Sequence, residues 1–183
     1  MWISLRAAVQ DAFSRAIVGR AMAEHMRSEP VTDALRVALA RRRPEAGVIH
    51  HSDQGSQYVS PAFGRQARDS GISRSTGSRG DCFDNAVAES FFATLKKELV
   101  RRRPWPTRRE LQSAVFDYIE SFYNRERRHS TLGYLSPGEF EMISLLNKWK
   151  NRNSSPDLSP EPGADHSLSR DKPIACRSPF VAV

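Results

Sequence analysis

Residues 48–96 constrain the fold more than any other stretch, because they set one carboxylate at a strand end and a second on an amphipathic helix. Val48 and Ile49 form a short apolar run after a helical pattern, which predicts a buried strand over 47–52. Asp53 then stands at the carboxyl end of that strand, where open α/β sheets place ligands. A helix starting at Asp84 or Asn85, both good N-caps, carries Ala88, Phe91, Phe92, Leu95 and Leu99 on its apolar face. Asn85, Glu89 and Lys96 fall within roughly 40° of one another on a different stripe, at 100° per residue. A strand-end Asp facing a helical Glu can share a hard divalent cation through oxygen ligands.

Thirty-five residues separate Asp53 from Glu89. Around this spacing lie three longer motifs: HSDQGSQY at 51–58, GDCFDNAVAESFFATLKKE at 80–98 and FYNRERRHSTLGYLSPGEF at 122–140. Together, and in this order, they resemble the integrase-core transposases of bacterial insertion sequences, over residues 9–142. The resemblance implies an α/β fold of the ribonuclease-H-like type: a mixed sheet flanked by helices, here truncated at the amino end, with C-terminal helices and a disordered tail. It also implies an Asp-Asp-Glu triad holding Mg²⁺ or Mn²⁺, of which Asp53 and Glu89 match the second and third members. The family's first catalytic Asp lies on a strand that would precede Met1. That strand is central, between the second and the fourth. The two strands beside it, around 8–10 and 48–51, are therefore expected to present unpaired inner edges, with residues 1–26 the least stable part.

The chain is long enough, at 183 residues with 39% hydrophobic content, for one domain with a real core. Its formal charge of +7 and pI of about 9.9 suggest a polyanionic partner. Cys82 and Cys176 form neither a disulfide framework nor a CxxC pair, which fits a reducing compartment and excludes a Cys-based zinc site. No apolar run approaches a membrane span and 1–10 lacks a signal-peptide layout, so the expectation is a cytoplasmic protein with no membrane partner.

Residues 1–26 read as two strands around a turn, with Asp11 matching a hairpin-end Asp of the family and suited to capping that turn. Val31, Ala34, Leu35, Ala38 and Leu39 make a helical stripe over 31–43. Arg41, Arg42 and Arg43 sit at its negative dipole end as a solvated terminus, or touch DNA. Of His50 and His51, one is expected to pack beneath the sheet while the other, His51, orients near the site. Gly55, Ser56 and Gln57 allow close approach of a phosphate backbone and are equally good turn formers. A helix is expected over 60–70, a short strand over 72–75 and a loop over 76–83. Asp81 and Asp84 are alternative carboxylates, Asp84 being better explained as a helix cap.

Lys96 lies about 10 Å beyond Glu89 on nearly the same face, suited to a flanking phosphate, with Lys97, Arg101, Arg102 and Arg103 extending the basic surface. A capping box at 107–110 opens a helix with Leu111, Ala114, Val115, Tyr118, Ile119 and Phe122 as core. The resemblance places the following YNRERRH segment near a DNA-facing surface, making Arg125, Arg127 and Arg128 candidate phosphate contacts. A second capping box at 136–139 starts a helix carrying Phe140, Ile143, Leu146 and Trp149. Residues 1–149 are thus expected to form the integrase-like core. Residues 150–183, rich in Pro and Ser without apolar periodicity, should be disordered.

By resemblance the chemistry is polynucleotidyl transfer: DNA strand cleavage and strand transfer by two-metal phosphoryl transfer, for DNA integration and transposition. The implied partners are insertion-sequence ends and target DNA, together with further copies or a full-length transposase. With the first Asp unmatched, the chain alone is expected to be inactive. The alternative is a non-catalytic nucleic-acid-binding fragment that interferes with a transposase.

Overall fold

The computed structural model describes residues 5–22, 29–52, 56–75, 82–153 and 180–182. A hairpin opens the chain, β1 (Leu5–Asp11) and β2 (Ile17–Met22), with Gly19 opposite Val9. Asp11 closes the turn: its Oδ1 accepts from the backbone N–H of Phe13 at 2.9 Å and of Ser14 at 3.3 Å. Helix α1 (Glu29–Arg42) lies across this hairpin so closely that a Cβ on Gly19 would stand 2.1 Å from the Ala34 carbonyl oxygen. Only glycine permits that approach.

β3 (Ile49–His51) is shorter than the strand expected over 47–52, and its Ile49 is 43% exposed rather than buried. Helix α2 (Pro61–Asp69) follows, capped by the Ser60 hydroxyl accepting from Phe63 N–H, and leads to β4 (Ser73–Ser75), which pairs parallel to β3. Helix α3 (Cys82–Leu95) begins earlier than Asp84, so Phe83 belongs to the helix and not to the preceding loop. Its last residues run on as a π-helical turn, Lys96–Val100.

Both expected helix caps form, the box at 136–139 with both of its reciprocal backbone bonds and the one at 107–110 with one of them. Thr107 Oγ1 accepts from Glu110 N–H at the start of α4 (Arg108–Asp117), and Ser136 Oγ accepts from Glu139 N–H at the start of α5 (Pro137–Asn153). Glu139 returns the favour by accepting from Ser136 N–H at 2.8 Å. α4 also ends in a π-helical turn, Tyr118–Tyr123. The wider turn rotates the inward face by one residue: Tyr123 is buried at 2% exposure, and Phe122, expected in the core, stands 40% exposed. In α5, Phe140 packs on Phe13 with ring centroids 5.0 Å apart, but Ile143, Leu146 and Trp149 face outward.

The sheet has the order β2-β1-β5-β3-β4, where β5 is Phe180–Ala182. Two expectations change here. The inner edges of β1 and β3 are not left open, because β5 pairs antiparallel to β1 and parallel to β3. Nor is the region 150–183 wholly outside the fold: α5 runs to Asn153 and 180–182 are sheet. The remainder of that region lies outside the described residues. One core cluster joins Val9 and Val18 to Leu35, Val48 and Phe63; the other joins Ile17 to Phe91, Leu95, Val115 and Ile119 on the opposite face.

Candidate metal and nucleic-acid site

Glu89 projects from the middle of α3 and is exposed. Asp53, its expected partner, and Gly55 fall in 53–55, outside the described residues, as does Asp81. β3 ends at His51, two residues before Asp53 in the sequence. Asn85 lies in α3 one turn before Glu89, and Gln57 is half-buried in the turn after β3. Among the described residues no group of three His, Cys, Asp or Glu side chains is placed to hold a metal ion. The side chains of Asp53 and Glu89 suit a hard cation by donor type, and as two carboxylates are one fewer than a triad.

One of the two histidines packs into the core, as expected. His50 is fully buried, its ring 5.1 Å from Phe63 and 6.1 Å from Tyr58. Burial first, and the nearby His51 and Arg74 charges second, hold its pKa down to about 4, so the ring is a neutral core group. His51 is half-buried at the strand end.

Lys96, Lys97, Arg101, Arg102 and Arg103 are all exposed along the π-helical turn and its exit. Arg125 and Arg128 are likewise exposed. Arg127 is different. It grips Glu98 through Nε and one terminal nitrogen, at 3.0–3.1 Å, and the Tyr118 hydroxyl donates to the same carboxylate at 2.7 Å. Burial of Glu98 is outweighed by these donors and its pKa falls, whereas burial and Glu98 together push the Tyr118 hydroxyl up. One acid inside a basic run therefore fastens the 124–129 segment to the Lys96–Val100 turn. Beside it His129 is held near a pKa of about 4 by burial and by the charges of Arg127 and Arg15.

Other arginines read as solvated are engaged elsewhere. Arg41 donates to Glu120 at 2.8 Å, joined there by Arg20. Arg42 pairs with Glu141 and lies 3.5 Å from the buried Asp11 carboxylate, whose pKa burial raises despite that neighbour. These pairs tie α1 to the end of α4 and to α5, which a free helix terminus would not do. Asn124 was also hidden in a motif read as DNA-facing. Its side chain accepts from Ile17 N–H at 2.9 Å and donates to Ile17 C=O at 3.0 Å, acting as a one-residue partner for the outer edge of β2. Its signal in the sequence is slight, since an Asn at a helix exit looks like a turn former.

The mixed sheet flanked by helices has the ribonuclease-H-like fold of integrase catalytic cores. The catalytic core domain of BIV integrase superposes with a TM-score of 0.57 at 18% identity, covering 81% of this chain and 92% of that one. The HTLV-2 integrase catalytic core domain, solved in complex with magnesium in a trimeric form, gives 0.53 at 16% identity, covering 74% and 84%.

The chain belongs to the integrase-core transposases of bacterial insertion sequences: two integrase core domain models match residues 5–82 and 89–145. It is 45% identical over 139 residues to the insertion element IS600 uncharacterized 31 kDa protein of Shigella sonnei, covering 76% of this chain and 51% of that one. To the transposase for insertion sequence element IS904 of Lactococcus lactis subsp. lactis (strain IL1403) it is 43% identical over 131 residues, covering 72% and 52%. To transposase InsF for insertion sequence IS3A of Escherichia coli (strain K12) it is 42% identical over 144 residues, covering 79% and 50%. The chain spans about half the length of these curated relatives. Among the described residues no helix is long and apolar enough to cross a membrane.

Proposed function

We propose that this chain is a DNA-binding integrase core of an insertion-sequence transposition system, and that it does not cut DNA by itself. The observation that carries the binding half is the Glu98–Arg127 clamp. It fastens the segment bearing the exposed Arg125 and Arg128 to the π-helical turn bearing the exposed Lys96 and Lys97, which continues the helix that bears Glu89. Contacts of this kind are to phosphate and are largely independent of sequence. Asp53 and Glu89 would hold a divalent cation of the Mg²⁺ type, with His51, Gln57 and Asn85 beside them. When bound, such a cation would supply Lewis-acid polarisation of a phosphoryl oxygen.

The catalytic half rests on what occupies the middle of the sheet. The resemblance assigns the family's first Asp to a central strand, and the strand standing between β1 and β3 here is Phe180-Val181-Ala182, which has no carboxylate. This favours a chain that binds DNA ends and associates with complete transposase copies over an independent nuclease. Fluorescence anisotropy with a labelled duplex tests the reading. With about five phosphates neutralised, log K should fall against log salt with a slope near −4 to −5. No binding at low salt by folded protein, or a flat salt response, would refute it.

A further inference from the structure

α5 is anchored through its first two turns. Gly138 N–H donates to the Asn124 carbonyl at 2.8 Å, Phe140 packs on Phe13, and Glu141 accepts from Arg42. Every residue over 145–153 is exposed, so the second half of the helix stands clear of the core. That overhang is not polar. Met142, Leu145, Leu146 and Trp149 are 48–62% exposed and, at i, i+3, i+4 and i+7, fall within about 100° of one another. Scattered apolar residues on a surface need no partner, but a contiguous stripe marks an interaction site. A helical segment this short is also marginal in water with nothing to pack against. Leu146 and Trp149 lie past residue 145, where the integrase core match ends, so half of the stripe is outside the shared core.

We infer that the outer half of α5 pairs antiparallel with the same helix of a second copy, about a two-fold axis between Leu145 and Leu146. In that register Met142 meets Trp149 of the second copy and Leu145 meets its Leu146. The stripe is then complementary to itself, as a closed two-fold interface requires.

The charges beside the stripe choose the direction. One flank carries Glu139 and Lys150, and the other carries Glu141, Lys148 and Arg152. In an antiparallel pair each flank meets its own counterpart reversed end for end. Glu139 then faces Lys150, and Glu141 faces Lys148 and Arg152, every contact of opposite sign. In a parallel pair the two different flanks meet at equal height. That sets Glu139 against Glu141, and Lys150 against Lys148 and Arg152, every contact of like sign. Flanking charges set orientation in paired helices, and being exposed they add little affinity. Glu139 and Glu141 keep their bonds to Ser136 and Arg42, because each carboxylate oxygen has a second lone pair. Affinity comes from the apolar stripe, and 142–153 spans only about 18 Å of helix, the scale of a transient interface. The inference rests on the association with further copies proposed above, to which it gives a surface, and is independent of DNA binding.

The test is sedimentation equilibrium of the full-length chain without DNA, over a series of concentrations at moderate salt. Wild type should show a reversible monomer–dimer equilibrium. Leu146→Glu puts a charge in the middle of the stripe, at an exposed position outside both core clusters, and should weaken dimerisation by about tenfold or more. Arg152→Glu reads the same interface from its exposed last turn without touching the stripe. Facing Glu141, it should weaken the antiparallel dimer several-fold, although it also lowers the chain's net positive charge. A stronger dimer with Arg152→Glu would mean parallel helices and would overturn the arrangement. A dimer indifferent to Leu146→Glu would place the contact on another surface, and a chain monomeric at every concentration would have no such contact; either overturns the inference. So would binding to anionic phospholipid vesicles that is lost in Leu146→Glu, with no dimer in their absence, which assigns the stripe to a membrane surface. Loss of duplex binding with the dimer intact would refute the DNA reading and leave this one standing.

Discussion

Asn124→Ala is the substitution whose cost the structure specifies best. The side-chain amide makes two hydrogen bonds to the backbone of Ile17, a residue with no solvent exposure, in place of a neighbouring strand. Truncation leaves the two backbone groups in different positions. The Ile17 carbonyl keeps a long contact, 3.4 Å, from an Arg41 guanidinium nitrogen. The N–H, which faces away from β1, loses its acceptor. A lost hydrogen bond costs about 0.5–1.5 kcal/mol and an orphaned buried donor about 1–3 kcal/mol, so the sum is about 2–4 kcal/mol. For a domain of this size that lowers the melting temperature by roughly 4–16 °C. Urea unfolding at pH 7 is the assay, with the midpoint expected to fall while the slope is unchanged. The Asn124→Asp variant sharpens it. One carboxyl oxygen still accepts from Ile17 N–H, but the other opposes the Ile17 carbonyl, so the folded state favours the protonated form. That pKa is raised in the folded state, and the variant should regain stability as the pH falls below about 5, where the wild type gains nothing from this position. A midpoint for Asn124→Ala within 0.5 kcal/mol of wild type would refute the edge-partner account.

His50 gives a second pH signature: its folded pKa of about 4 lies below the unfolded value of about 6.5, so the unfolded chain takes up the proton first. Stability should fall by roughly 3 kcal/mol between pH 6.5 and 4 from this residue, and His50→Leu should remove that component in paired urea midpoints. Gly19→Ala should cost about 1–3 kcal/mol, because the added methyl meets the α1 backbone rather than a movable side chain; differential scanning calorimetry checks it. Arg127→Ala should lower the urea midpoint by about 1–2 kcal/mol through loss of its bidentate pair with Glu98. Arg125→Ala and Arg128→Ala should leave the midpoint alone and each reduce the magnitude of the DNA salt slope by about 0.9.

Local chemistry was legible wherever a short pattern decides the outcome. The two helix caps at 107–110 and 136–139 need only four residues each, and both form, the second as a complete capping box. The stripe at Leu111, Val115, Tyr118 and Ile119 is buried as its period requires. The period then fails at Phe122, because a π-helical turn depends on what the helix packs against and not on its own spacing. Charge was legible as a quantity but not as a set of partners. Arg41, Arg42 and Arg127 look like free cations in one dimension and are paired across 79, 99 and 29 residues in three. The middle of the sheet was illegible for a related reason. Phe180-Val181-Ala182 is too short to show alternation and follows a stretch rich in proline and serine, so nothing local marks it as the strand that joins two pairs.

The central claim, a core that holds DNA without cutting it, is tested most directly by a plasmid-nicking assay. Full-length chain would be incubated with supercoiled DNA at low salt in Mn²⁺, alongside Glu89→Gln and an anisotropy measurement of binding in the same buffer. The account predicts binding with no nicking above the metal-only background. Mn²⁺-dependent nicking that disappears in Glu89→Gln would contradict it, and would mean that a carboxylate other than Asp53 and Glu89 completes the site.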